Sequence, residues 1–410
     1  MQALYERCGG LDVHKDSVVA CVLVGSRPPE VRSFGTTTAG LLALGDWLAE
    51  RGVTHVAMES TGVYWKPIWN LLEDRFELLL ANAQHIKNVP GRKTDVADCQ
   101  WIAQLLRHGL LRASFVPDRG QRQLRELTRQ RAQLVADRAR VANRIQKVLE
   151  DANLKIGSVI SDVLGKSGRD MLRTLIEQPH ATPEAVAELA RGMLRRKIPR
   201  LRDALTHGGG LNDHHRFMLS QLLDQVEHLE RQVEAFERRI DEAMRTTPFD
   251  QAAAKLDAVP GINRRAAQAI LAEIGHDMSR FPTAAHLASW AGLCPGNHES
   301  AGRRKSGRTR DGNRWLCQML VQCAWAAART KRSYFHALYH RLKARRGHKR
   351  ALIAVAHSIL VTLWHLLSKS QPYADLGPDH FRQLSRPDRA AELVRRLQHM
   401  GYTVHLNPAA

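Results

Sequence analysis

From Arg7 to about Val116, short Val/Leu/Cys-rich runs alternate with amphipathic stretches, the pattern of an α/β domain. Leu11 to Val24 reads as two strands around a turn at His14 to Ser17, with Val31 to Phe34 as a third. The spacing then predicts a helix over Thr38 to Arg51, a buried strand over Val53 to Met58 and a helix over Tyr64 to Asp74. A strand over Glu77 to Ala81 and a helix over Asp95 to His108 complete the series.

Beyond Pro117 the pattern changes to long, charged, Gly-poor helix. Gln121 to Leu149 carries Leu124, Leu127, Leu134, Val141, Ile145 and Val148 at heptad-like spacing. Leu222, Val226, Leu229, Val233, Phe236 and Ile240 alternate steps of four and three. Either an antiparallel helical pair, a coiled coil between two chains or two ordinary helices of a bundle satisfies these stripes. Between them, Gly165, Lys166 and Ser167 resemble the end of a phosphate loop, but Ile160 stands where that motif needs glycine. A compact helical region follows from Leu256 to about Leu367. A polar stretch containing Pro372, Pro378 and Pro387 then reads as a loosely ordered end. These shifts divide the chain into 1–118, 119–250, 251–370 and 371–410.

Charge narrows the function. In 410 residues, 61 Lys and Arg face 41 Asp and Glu, a formal charge of +20 that calls for a polyanionic partner, nucleic acid first. A membrane surface is the rival, yet Ala351 to Leu367 is broken by His357, Ser358, Thr362 and His365 and falls short of the roughly 20 residues of a spanning helix. With no signal peptide at the start, the protein reads as cytoplasmic. The six cysteines form no CxxC pair, which argues against a zinc knuckle or a thioredoxin-like motif. His336 and His340 have helical spacing but lack the glutamate of HExxH, and read as a solvated helix face.

Four carboxylates suggest chemistry. Metal-dependent phosphoryl transfer needs converging carboxylates, because hard cations clamp the attacking and leaving oxygens. Asp12 lies in an apolar strand, Glu59 follows one, and Asp95 and Asp98 are three apart at a helix start, hence on one face. An Asp near a helix start is by itself an ordinary N-cap. The order, with three strands and then alternating helix and strand, is that of the ribonuclease H-like fold, and the carboxylates follow the arrangement of its RuvC-type nucleases.

Toward the other end, Leu256 to Gly275 places a Pro260-Gly261 turn before Arg264 and Arg265, like a helix-hairpin-helix that brings backbone N–H groups to a DNA phosphate. An ordinary helical turn is the plainer alternative. The stretch from His298 to Arg308 contains Ser300 and Ser306 among Arg303, Arg304, Lys305 and Arg308. By composition it is a phosphate-binding loop that also suits serine attack on a phosphodiester.

Taken together, GLDVHKD (Gly10 to Asp16), MESTGVYW (Met58 to Trp65), KTDVADCQW (Lys93 to Trp101), VPGINRRAAQAILAEIG (Val259 to Gly275) and WAGLCPGNHESAGRRKSGR (Trp290 to Arg308) resemble the DEDD transposases of the insertion-sequence one-ten family. The resemblance covers nearly the whole chain. It implies an α/β RuvC-like domain followed by all-α coiled-coil and helical domains. It also implies magnesium, two ions, held by Asp12, Glu59, Asp95 and Asp98, and Ser300 as a nucleophile that links transiently to cut DNA. Ser306 is the alternative, since Glu299 and Ala301 depart from the family's usual Ser and Gly. The implied partners are DNA, a guide RNA and further copies of the chain, as a dimer or tetramer, with each active site built from two protomers. Rival readings are a Holliday-junction-type nuclease that activates water and a nucleic-acid-binding protein without chemistry.

Overall fold

The computed structural model describes every residue except 1–2, 61, 84–85, 87–97, 207–210, 246–247, 295–297, 301–302, 307–308, 310, 370, 382–385 and 406–410. For 298–300, 303–306 and 386–392 it describes the backbone alone. The chain forms two compact units, residues 1–117 and 118–410.

The first unit begins with β1 (Arg7–Val13), β2 (Ser17–Val24) and β3 (Glu30–Gly35), then α1 (Thr38–Glu50), β4 (His55–Glu59), α2 (Trp65–Leu72), β5 (Glu77–Ala81) and α3 (Asp98–Arg107). Every one of these elements was expected, with ends shifted by up to four residues, the largest at the start of β1. One five-stranded sheet results, ordered β3-β2-β1-β4-β5. β2 is antiparallel to β1 and β3, whereas β1, β4 and β5 run parallel. Period-two alternation separates its two faces. Leu11, Val13, Ala20, Val56 and Met58 pack with Leu41, Leu44, Leu48, Ile68 and Leu72 of α1 and α2. On the opposite face, Cys8, Cys21, Leu23, Ala57 and Ala81 pack with Cys99, Ile102, Ala103 and Leu106 of α3.

The second unit contains α4 (Arg119–Asp151), α5 (Lys166–Glu177), α6 (Pro183–Ala187), α7 (Ile198–Thr206), α8 (Asp213–Met244), α9 (Phe249–Asp257), α10 (Arg264–Ile274) and α11 (Ala284–Trp290). The hairpin β6 (His298–Ser300) and β7 (Arg303–Ser306) follows, then α12 (Arg314–Arg329), α13 (Tyr334–Arg346), α14 (His348–Lys369) and α15 (Arg386–His399). The heptad stripes are accounted for within one chain. Leu134, Val141, Ile145 and Leu149 of α4 share a core with Leu219, Leu222, Val226 and Leu229 of α8. Ion pairs Arg138–Glu230 and Asp151–His215 show that the two helices run antiparallel.

Two expectations change. The stretch after 370 was read as a loose end, but α15 occupies Arg386–His399, with Pro387 near its start where a missing N–H costs nothing. The apolar stretch was read as too short for a membrane, yet α14 spans 22 residues and is long and apolar enough to cross one. Its Ala351, Leu352, Val355, Ile359, Leu360 and Leu363 are buried in this unit, as in a core helix.

Candidate active site

The parallel pairing of β1 with β4 sets Leu11 opposite Met58. One step further along lie Asp12 and Glu59, at the C-terminal ends of two adjacent parallel strands. Leu11, Val13 and Met58 enter the core under α1 and α2. By alternation Asp12 and Glu59 therefore face the α3 side of the sheet.

Gly10 determines how α3 lies on that face. A Cβ at Gly10 would stand 2.3 Å from the Cys99 carbonyl oxygen and 2.4 Å from the Ala103 nitrogen, so the helix backbone rests directly on the strand. Along the helix, the Arg107 carbonyl accepts from Leu4 N and the Ala103 carbonyl from the Cys8 thiol, while Cys99 sits at Gly10. α3 thus runs opposite to β1 and begins, with the exposed Asp98, toward the Asp12 end. The first described turn of α3 presents a positive dipole end toward the Asp12 end of β1. Asp95 lies outside the described residues. Among the described residues no three His, Cys, Asp or Glu side chains gather closely enough to hold a metal ion.

Three cysteines line the same face. Burial pushes the Cys8 thiol up to about 11, opposed by Arg107. The Cys21 thiol donates to Cys99, which raises Cys21 and lowers Cys99, and the negative charge of Asp12 acts on Cys99 in the opposite sense. Asp12 is also met by a residue that the sequence reading passed over. His14 Nε2 stands 3.2 Å from Asp12 Oδ2, with the His14 side chain 59% and that of Asp12 25% exposed. The tight turn after β1, closed by His14 N donating to Ser17 O, brings them together.

In the second unit, the serine segment expected as a loop is a hairpin. Ser300 pairs with Arg303 at its tip and Ser306 with His298 at its base, with Arg304 and Lys305 between them on β7. Arg308 lies outside the described residues. Gly261 has φ +89, and a Cβ there would meet the Cys323 carbonyl oxygen at 2.4 Å and the Ala327 nitrogen at 2.6 Å. Its glycine is thus required by the backbone of α12, an internal reason independent of any phosphate. Arg264 pairs with Asp241 at 3.3 Å, an exposed pair to α8 that contributes little to stability, and the exposed Arg265 pairs with the half-buried Glu237 of α8 at 2.8 Å.

A buried network absent from the sequence reading joins α4, α10 and the start of α12. Glu273, only 3% exposed, accepts from Arg129 Nε at 2.7 Å and from a second Arg129 nitrogen at 2.8 Å. Asn313 Nδ2 donates to the same carboxylate at 2.6 Å, and Arg125 lies 3.3 Å away. Burial pushes the Arg125 guanidinium down to about 10, against the pull of Glu273. Asn313 also caps α12 by accepting from Leu316 N, so Glu273 anchors the exit of the hairpin segment to α4 and α10. A glutamate in an apolar helix was the only available signal.

Comparison with known proteins bears on both regions. Residues 9–154 match a family model described as a transposase, and residues 253–340 match one described as Transposase IS116/IS110/IS902 family. The insertion element IS900 uncharacterized 42 kDa protein of Mycobacterium paratuberculosis is 30% identical over 333 residues, covering 72% of this chain and 80% of its own length. The chain belongs to this transposase family. The transposase for insertion sequence element IS1111A of Coxiella burnetii is 24% identical, covering 72% of each chain. A pilin gene-inverting protein of Moraxella bovis is 25% identical over 154 residues, 37% of this chain and 48% of its own. The transposase is an enzyme of DNA transposition and recombination, which cuts and rejoins DNA. Its first matched region contains Asp12, Glu59, Asp95 and Asp98 and its second contains Gly261, Ser300 and the basic hairpin.

Proposed function

We propose that the first unit has a ribonuclease H-like fold of RuvC type and that Asp12, Glu59, Asp95 and Asp98 hold two magnesium ions, with Ser300 as the nucleophile that cuts DNA. The observation that carries this reading is the placement of Asp12 and Glu59 at neighbouring strand ends, on the face where α3 begins with Asp98. The donor chemistry suits a hard divalent cation, since every proposed ligand is a carboxylate. Magnesium, when bound, neutralises charge on the phosphodiester and acts as a Lewis acid.

This chain's own residues supply the rest. The carboxylates would hold the magnesium against the phosphate, and Arg303, Arg304, Lys305 and Arg308 stabilise its growing negative charge. The Ser300 hydroxyl gives up its proton and its oxygen bonds to phosphorus as one phosphorus–oxygen ester bond of the strand breaks. The departing oxygen takes up a proton and leaves as a hydroxyl. Attack by a DNA hydroxyl on the serine ester reverses the exchange, releases Ser300 and joins the strands without an external energy source. Gly261, Arg264 and Arg265 hold the DNA backbone as a helix-hairpin-helix. A guide RNA sets the sequence, and two protomers of a dimer or tetramer complete each site.

Recombination of a donor and target plasmid, measured with magnesium, tests the reading. Asp12→Ala and Glu59→Ala each abolish recombination while nucleic-acid binding persists, and chelation of magnesium abolishes it in wild type. Full recombination by either variant rejects the carboxylate assignment.

A further inference from the structure

Between Asp311 and Asp375 the chain has no acidic residue, and nine Lys and Arg fall between Arg329 and Arg350. The fold concentrates part of this charge. His348, at the start of α14, packs against the Trp325 ring of α12 at 4.6 Å and against Tyr339 of α13, whose hydroxyl meets its Nδ1 at 2.5 Å. That one imidazole draws three helices together, and Lys349 and Arg350 follow it directly in the first turn of α14. Arg329 lies over the Trp325 ring at 5.9 Å and Lys343 over the Tyr339 ring at 5.9 Å. Arg329, Lys343, Arg345, Arg346, Lys349 and Arg350 are all exposed.

Unlike Arg264 and Arg265, none of these six cations has an ion-pair partner among the described residues. Exposed like charges without counter-charges repel one another, and a polyanion relieves the repulsion. Trp325 is the second, independent feature. It is 43% exposed, with the Arg329 guanidinium over its ring. Duplex DNA offers phosphates but no free base face, whereas a single strand offers both.

We propose that this α12–α13–α14 surface binds single-stranded DNA, with phosphates on Arg345, Arg346 and Lys349 and an unpaired base against Trp325. This deepens the reading of the enzyme as a DNA recombinase, because strand exchange frees such a strand. The site shares no residue with the proposed carboxylate or serine machinery.

The test uses the full-length transposase and a labelled 20-nucleotide single-stranded DNA, with an RNA of the same sequence and the corresponding duplex DNA. Binding is followed across a series of salt concentrations. In the triple variant Arg345→Gln/Arg346→Gln/Lys349→Gln, the slope of log affinity against log salt for the single-stranded DNA falls by about 2, roughly 0.7 per phosphate. Trp325→Ala weakens single-stranded DNA binding about tenfold and changes duplex binding less than twofold. An unchanged slope, equal losses on duplex and single strand, or a loss confined to RNA overturns the proposal. If wild type binds none of the three, the recombinase reading itself fails.

Discussion

At Gly10 the absence of a side chain decides where a helix lies. A methyl group there would overlap the carbonyl of Cys99 and force α3 off β1. Gly10→Ala is expected to lower stability by about 1–3 kcal/mol in urea unfolding followed by circular dichroism. It also moves Asp98 and so abolishes recombination. A variant as stable and active as wild type would show that α3 can lie elsewhere. At this scale the sequence was partly legible. Asp12 stood out because apolar neighbours flank it, as did Glu59 at the end of an apolar run. Their adjacency was not legible, since it depends on the parallel pairing of β1 with β4 across the 41 residues from 14 to 54. His14 was passed over because its partner became visible only with the turn.

At the scale of elements, the helices that pattern alone defines were found, and the links that hold them were not. The stripes of α4 and α8 were legible, but whether they pair within or between chains is a matter of tertiary placement, and the ion pairs show an intrachain antiparallel pair. The basic segment, read by composition as a loop, pairs as β6 and β7. Glu273 is the most consequential element-to-element link. Removing one partner of a buried ion pair leaves an uncompensated charge, so Glu273→Ala is expected to cost about 3–5 kcal/mol. Chemical denaturation measures this, and a loss below about 1 kcal/mol would contradict the anchoring role. Arg129→Ala alone should cost less, because Arg125 and Asn313 still satisfy the carboxylate.

Across the whole molecule, charge governs both stability and binding. Glu230 of α8 is taken partly out of water, which raises its carboxyl pKa, but hydrogen bonds and charge from Arg169 of α5 and Arg138 of α4 outweigh this and hold it below its ordinary value. A carboxyl depressed in the folded state stabilises the fold above its unfolded pKa, and that contribution disappears as pH falls through the folded value. Thermal unfolding between pH 7 and pH 3 should therefore show Glu230→Gln losing less on acidification than wild type, with a lower melting temperature at pH 7. Parallel curves would refute the linkage. The +20 charge further predicts binding to nucleic acid that weakens steeply with salt.

The proposed chemistry meets its most direct test in one measurement, a denaturing gel of labelled DNA after reaction with the transposase. A serine nucleophile predicts a labelled protein–DNA adduct in wild type that is absent in Ser300→Ala and present in Ser306→Ala. Cut DNA with no adduct in wild type would mean that water is the nucleophile, and an adduct that survives Ser300→Ala would place the covalent bond on another residue.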